Sequence, residues 1–156
     1  MAEPASALHV ALSFAQRLWP LSWRWVRRYF ESRQPLLREG AEVVTPITLA
    51  LEGLGPAAVS FGTADELDAH LRSTHEKWHG ELKAALMTYA NAHPSPRVKE
   101  LSTELSTAFE QAVTNTRMFV SERRTAQGAE WFKAAEGSKD AATATAEQLI
   151  VEIRAY

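Results

Sequence analysis

The chain has 156 residues, which suits one domain with a hydrophobic core and is too short for two. Its 46% apolar and 23% charged residues exclude a disordered chain, and its lack of cysteine excludes disulfides and thiolate chemistry. We therefore expect one folded domain over residues 1–156, located in a reducing cytoplasm.

The charge of the chain is divided unevenly. Residues 1–40 carry six arginines and three glutamates, a balance of +3, whereas residues 41–156 carry 11 basic and 16 acidic side chains, a balance of −5. Nucleic-acid-binding proteins usually show a stronger basic excess, so we expect no nucleic-acid partner. The apolar window Ala5 to Trp23 contains Arg17 and Pro20, and a membrane-spanning helix needs about 20 nearly uncharged residues. We therefore expect no spanning helix.

Residues 1–34 predict two amphipathic helices separated by a kink or a break at Pro20. The second helix is expected to run from Leu21 to Arg33 and to end at Pro35, because proline removes a backbone donor and crowds the preceding turn. Aromatic and aliphatic side chains cover one half of this helix, and arginines fill a narrow opposite arc. The segment is therefore the most distinctive surface that the sequence predicts.

This aromatic and basic segment fits three roles. Its apolar half can cover the rest of the protein, lie on an anionic membrane, or enter the groove of a protein partner. We expect the first role, because a wide apolar face is what a core helix needs. The candidate interaction residues are Trp19, Trp23, Arg24, Trp25, Arg27, Arg28 and Tyr29.

Residues 42–62 admit two interpretations. Ile47, Leu49 and Leu51 alternate with more polar residues, as in a half-buried strand, which could pair with a second strand further on. Thr45 followed by Pro46 is equally typical of a helix start. We favour the helix because the surrounding segments are helical.

The centre of the predicted fold is an antiparallel helical hairpin over residues 63–124. The segment assigned to it extends to residue 127. Thr63 and Glu66 match the capping box that starts a helix. Ser95, followed by a proline, starts the second helix. The short link around Ser95 requires the two helices to run antiparallel.

An apolar stripe runs along each helix of the predicted hairpin. Residues eleven positions apart keep such a stripe nearly straight on an α-helix. Trp78 is therefore predicted to be buried, opposite the region around Ala112. The stripe residues are Leu67, Leu71, Thr74, Trp78, Leu82, Ala85 and Tyr89 on the first helix, and Val98, Leu101, Leu105, Phe109, Ala112, Thr116 and Phe119 on the second.

Residues 138–156 predict a C-terminal helix that is capped by Ser138 or Asp140. Gly137 is expected to separate it from a short helical turn at Trp131. The complete prediction is an all-α helical bundle, with N- and C-terminal helices packed on the hairpin.

One string has the outline of a catalytic motif. His75, Glu76 and His79 match His-Glu-x-x-His, in which two imidazoles one turn apart hold Zn²⁺ and the glutamate accepts a proton from metal-bound water. At these positions the chain resembles the zincin metallopeptidases, and the resemblance covers five residues. It implies a zinc-dependent hydrolase with these three residues in the metal and general-base roles.

The surroundings of the string favour a structural role. Lys77 stands where zincins generally have an uncharged residue, and Leu82 and Ala85 occupy the positions of the later glycine and third histidine of the extended motif. No strand is predicted beside the helix to hold a peptide substrate. In the structural interpretation, both histidines flank the buried Trp78 and Glu76 pairs with Arg72.

The other titratable residues do not predict a second candidate site. His70 and His93 are interpreted as solvated helix residues. A di-iron bundle needs carboxylates that point inward from several helices. The glutamates of the second hairpin helix are instead predicted on its polar side: Glu100, Glu104, Glu110 and Glu122.

The sequence thus predicts a non-enzymatic helical interaction or scaffold protein without a cofactor or metal. Its partner is expected to be another protein or a second copy, with an anionic membrane surface as an open alternative at the first 33 residues. The zinc-dependent hydrolase centred on His75, Glu76 and His79 is the alternative function. Metal analysis separates these two classes.

Overall fold

A computed structural model describes the backbone of residues 5–60 and 62–156, and the side chains of residues 27–29, 31–60 and 62–156. Within this part of the chain the structure is helical and contains no strand, which confirms the predicted all-α bundle. The helices are α1 (Ala5–Glu52), α2 (Ala64–Lys77), α3 (Lys83–Ala92), α4 (Pro96–Glu122) and α5 (Gly128–Ala155), with a π-helical turn at Trp78–Leu82 between α2 and α3.

The chain divides into two compact units, residues 1–36 and residues 37–156. The described backbone of the first unit is the N-terminal part of α1. The second unit contains the remainder of α1 and helices α2 to α5, packed around a hydrophobic core.

Helix α1 runs through Pro20, Pro35 and Pro46 without an interruption in its helical assignment. The predicted helix end at Pro35 is therefore wrong. An interior proline costs a helix about 3 kcal/mol. Val44 and Ile47 are buried in the core and hold the part of α1 that follows Pro35. Nothing in the described residues explains why the helix runs through Pro35 itself.

The same burial pattern decides between the two interpretations of residues 42–62. Ile47 and Leu51 are fully buried and lie one helical turn apart, whereas Leu49 between them is 60% exposed. A strand would place all three side chains on one face. The helical interpretation is confirmed up to Glu52, where α1 ends.

A buried turn follows α1. Gly55 has a φ of +88°, a conformation that glycine adopts without steric cost. Its backbone N–H donates a buried hydrogen bond to Thr116 Oγ1 on α4, at 3.1 Å. This bond fixes the turn between α1 and α2 against the middle of the bundle.

The two helix starts that the sequence predicts, at Thr63 and at Ser95, are confirmed. Thr63 Oγ1 accepts a hydrogen bond from the backbone N–H of Glu66, and the Glu66 carboxylate accepts one from the backbone N–H of Thr63. Ser95 is the N-cap of α4, and Pro96 is its first residue. The Ser95 side chain makes no capping hydrogen bond, so at this second start the position of the helix is confirmed but side-chain capping is not.

The core is organised around α4. This helix makes its most extensive contact with α5, and smaller contacts with α2 and α3. Trp78 is fully buried and stacks on Phe109 of α4, with ring centroids 4.1 Å apart and an interplanar angle of 18°. The predicted burial of Trp78 is confirmed.

Helix α5 begins at Gly128 and continues through Gly137, so the predicted break at Gly137 is wrong. An interior glycine costs about 1 kcal/mol relative to alanine, which is too little to end a helix with a buried face. Ala135 and Ala142 are fully buried on either side of Gly137 and keep that face continuous.

Candidate functional site

The three residues of the zincin-like string lie on the surface at the junction of α2 and the π-helical turn. His75, Glu76 and His79 are all exposed, and the two imidazole centroids are 4.4 Å apart. No group of three potential metal ligands lies together anywhere in the described part of the chain. The expected pairing of Glu76 with Arg72 is wrong, because Arg72 forms its ion pair with Asp68, at 2.7 Å.

Beside this string, Glu110 of α4 joins two side chains from the opposite helix. Its Oε1 accepts hydrogen bonds from Trp78 Nε1 at 3.2 Å and from Lys83 Nζ at 2.6 Å. The Lys83 hydrogen bond is the largest of the effects that lower the pKa of the Glu110 carboxyl group. Glu110, which is predicted on the polar side of α4, is partly buried, and its carboxylate connects α4 to the buried indole.

The predicted interaction segment is described in part. The side chains of Arg27, Arg28 and Tyr29 are exposed, and Tyr29 retains 51% of its accessible surface. Arg27 pairs with Glu31 one turn away at 2.7 Å, and the Arg33 guanidinium carbon lies 5.9 Å from the Tyr29 ring centroid. The remaining predicted residues have side chains outside the described set: Trp19, Trp23, Arg24 and Trp25.

A cluster that sequence reasoning missed lies at the link between α3 and α4. His93, expected to be a solvated helix residue, is 7% exposed and is the C-cap of α3. Its Nδ1 accepts a hydrogen bond from the backbone N–H of Ser95 at 3.1 Å. The Ser95 hydroxyl donates to Glu152 Oε1 on α5 at 2.9 Å. Two hydrogen bonds in series thus connect His93 with the last turns of α5.

Two tyrosine rings enclose the imidazole. Tyr89 lies 5.5 Å from His93 between ring centroids, and Tyr156 lies 5.0 Å away in an edge-on arrangement. Burial lowers the pKa of His93, against the opposing effect of the Glu152 charge. Burial also raises the pKa of Tyr89 to about 12, with a contribution from the charge of Glu39. The cluster therefore favours uncharged rings.

Gly40 on α1 permits this arrangement. A Cβ atom at this position would lie 2.6 Å from Tyr89 Oη and 2.9 Å from Ile153 Cγ2. Gly40 also borders a cavity of about 250 Å³ between α1 and α5, which is lined by aliphatic side chains including Leu37 and Ile150. The signal in the sequence that could have located this cluster is the His-Pro-Ser-Pro link, where the residue before each proline is held extended.

These observations define the class of the protein as an all-α bundle that carries a buried polar cluster in its described part and begins with a helix whose sequence is basic and aromatic. Comparison of the chain with protein-family models, curated protein sequences and solved structures finds no match in any of the three. Among the residues described, no helix is both long enough and apolar enough to cross a membrane.

Proposed function

We propose that this is a non-enzymatic helical interaction protein whose first 33 residues form the contact surface. The observation that supports it is the exposure of Tyr29 beside the exposed arginines Arg27 and Arg28 on α1. Tyrosine and arginine are enriched at the centres of protein interfaces, and tryptophans precede them in this segment. Residues 1–36 also form a unit of their own.

The charge of the chain indicates the kind of partner. Residues 1–40 carry a balance of +3, so an acidic protein surface is favoured. Residues 41–156, with a balance of −5, provide such a surface on a second copy of this chain. Self-association is therefore the partner arrangement that the charge distribution supports.

Sedimentation velocity over a range of concentrations tests the proposal on the full chain. We expect a sedimentation coefficient that rises with concentration and falls in high salt, because exposed charges are screened beyond about 10 Å at 0.1 M salt. A triple variant, Arg24→Glu, Arg27→Glu and Arg28→Glu, should remain monomeric.

A matched control reverses three exposed cations within residues 41–156, Lys99→Glu, Arg124→Glu and Lys133→Glu. It makes the proposed acidic surface more acidic and should therefore associate at least as strongly as the unmodified protein. Flotation with vesicles that contain anionic lipid tests the alternative in which a membrane surface is the partner. A protein that is monomeric at all concentrations but floats with these vesicles would make the membrane surface its partner. A monomer that does not float would contradict the proposed contact surface.

A further inference from the structure

The cluster at the link between α3 and α4 has a fixed proton arrangement. The backbone N–H of Ser95 is always a donor, so His93 Nδ1 must be the unprotonated nitrogen that accepts it, at 3.1 Å. The neutral ring then carries its proton on Nε2, which is buried and has no partner among the described residues. Only the neutral imidazole is compatible with the observed bond.

Protonation of His93 changes both hydrogen bonds of the cluster. The imidazolium has a proton on Nδ1 as well, so two N–H groups would face each other and the bond from Ser95 would be lost. The new positive charge would also attract the Glu152 carboxylate, whose Oε1 now accepts from the Ser95 hydroxyl. The first bond lies within the α3–α4 link and the second joins the link to α5, so protonation of His93 breaks the first and competes for the acceptor of the second.

The groups around His93 come from every element packed against it. Tyr89 of α3 and Tyr156 at the end of α5 face its ring. Glu152 of α5 is the charge that acts on it, and Arg97 of α4 in turn feels the charge of Glu152. Glu39 of α1 acts on Tyr89. Of these, Glu152 is the charge that raises the pKa of His93, against the effect of burial.

We propose that His93, Ser95 and Glu152 form an acid-operated latch, in which protonation of His93 releases the last turns of α5 from the link between α3 and α4. At neutral pH the latch is closed through two hydrogen bonds and the edge-on contact of Tyr156 with the imidazole. In acid the buried position between the two tyrosines disfavours the cation, so the ring leaves it and loses its contact with Tyr156 at the end of α5, while the Glu152 charge opposes this release.

The direction of the pH dependence follows from burial. Because burial lowers the pKa of His93 in the folded state, an unfolded or opened chain binds the proton more readily. The stabilisation that neutral His93 gives to the closed state is complete above the ordinary histidine pKa of 6.5 and is lost as the pH falls below that value. Each pKa unit by which burial lowers the pKa of His93 increases the equilibrium constant for opening about tenfold, once the pH is low enough to protonate the ring in both states.

Nuclear magnetic resonance on the full chain tests the latch. We expect the His93 ring to titrate below pH 6.5, and the amide protection factors of Ser95 and Ile153 to fall between pH 7.5 and 5.0. The variant His93→Asn keeps an acceptor in place of Nδ1 but cannot be protonated. Its protection factors in α5 should lose this pH dependence, whereas the exposed control His79→Asn should retain it.

A second variant keeps the test decisive if His93→Asn folds poorly. Glu152→Gln retains a carbonyl acceptor for Ser95 but removes the charge that raises the pKa of His93, so the ring of the closed state should titrate at lower pH and acid should open α5 to a greater extent than in the unmodified protein. The latch is overturned if His93 titrates at or above its ordinary value, or if α5 is equally protected at pH 7.5 and 5.0.

Discussion

Trp78 and Phe109 stack at a centroid distance of 4.1 Å, and the indole N–H of Trp78 donates to the next residue of α4, Glu110, at 3.2 Å. One side chain therefore supplies both an apolar contact and a directed hydrogen bond between the π-helical turn and α4. Aromatic pairs contribute about 0.5–1.5 kcal/mol beyond the area they bury. This contact makes Trp78 the first position at which to test the core.

We expect Trp78→Ala to lower the free energy of unfolding by about 3–5 kcal/mol, because it empties a fully buried aromatic site. Phe132, an aromatic residue that is 41% exposed, is the control, and Phe132→Ala should cost less. Chemical denaturation measures both values. A loss below about 1 kcal/mol for Trp78→Ala would contradict the role of Trp78 in the core.

Gly40→Ala should destabilise the protein by about 1–3 kcal/mol, since the added methyl group overpacks the space against Tyr89 and Ile153. Gly137 provides a matched control on α5, where a Cβ atom meets nothing within 4 Å. Gly137→Ala should raise stability by up to about 1 kcal/mol through helix propensity. Equal effects of the two substitutions, measured as shifts in the thermal midpoint, would show that Gly40 has no steric role.

Thr116→Val should lower the free energy of unfolding by about 1–3 kcal/mol, because it preserves the volume but leaves the buried N–H of Gly55 without its acceptor. Thr116→Ser keeps the hydroxyl group and loses one methyl group, at about 0.8 kcal/mol. Urea denaturation of the two variants distinguishes the hydrogen bond from packing. The prediction fails if valine proves no more destabilising than serine.

Purified protein is expected to contain no stoichiometric zinc, and His75→Ala should change the free energy of unfolding by no more than about 0.5 kcal/mol. The reason is that His75 and His79 are exposed, and no third ligand accompanies them in the described part of the chain. Elemental analysis measures the metal content. About one zinc per chain, lost on His75→Ala or His79→Ala, would restore the hydrolase alternative.

Local signals in the sequence predicted several elements correctly. The capping box of Thr63 with Glu66 and the burial of Trp78 depend on residues within one or a few helical turns, so spacing alone reveals them. Pro35 and Gly137 were read as helix ends because their local costs are real. At Gly137 the packing of the neighbouring turns outweighs the cost, and the sequence does not display that packing directly.

The candidate cluster was harder to predict than the fold. His93 is separated from Glu152 by 59 positions in the chain, and Ser95 from Glu152 by 57. No spacing rule connects residues so far apart. Glu110 shows the same limitation, because a helical wheel of α4 alone does not reveal that Trp78 and Lys83 reach across from the opposite helix.

The π-helical turn at Trp78–Leu82 determines how far α3 is rotated about the helix axis relative to α2. Trp78, Leu82 and Leu86 are buried at successive intervals of four, which on an ideal α-helix would rotate by about 40° at each step. The wider turn takes up part of this rotation. Because the wider turn accommodates about one extra residue, removing the exposed Gly80 should convert it to an ordinary α-helical turn and leave Tyr89 in its place beside Gly40 and His93.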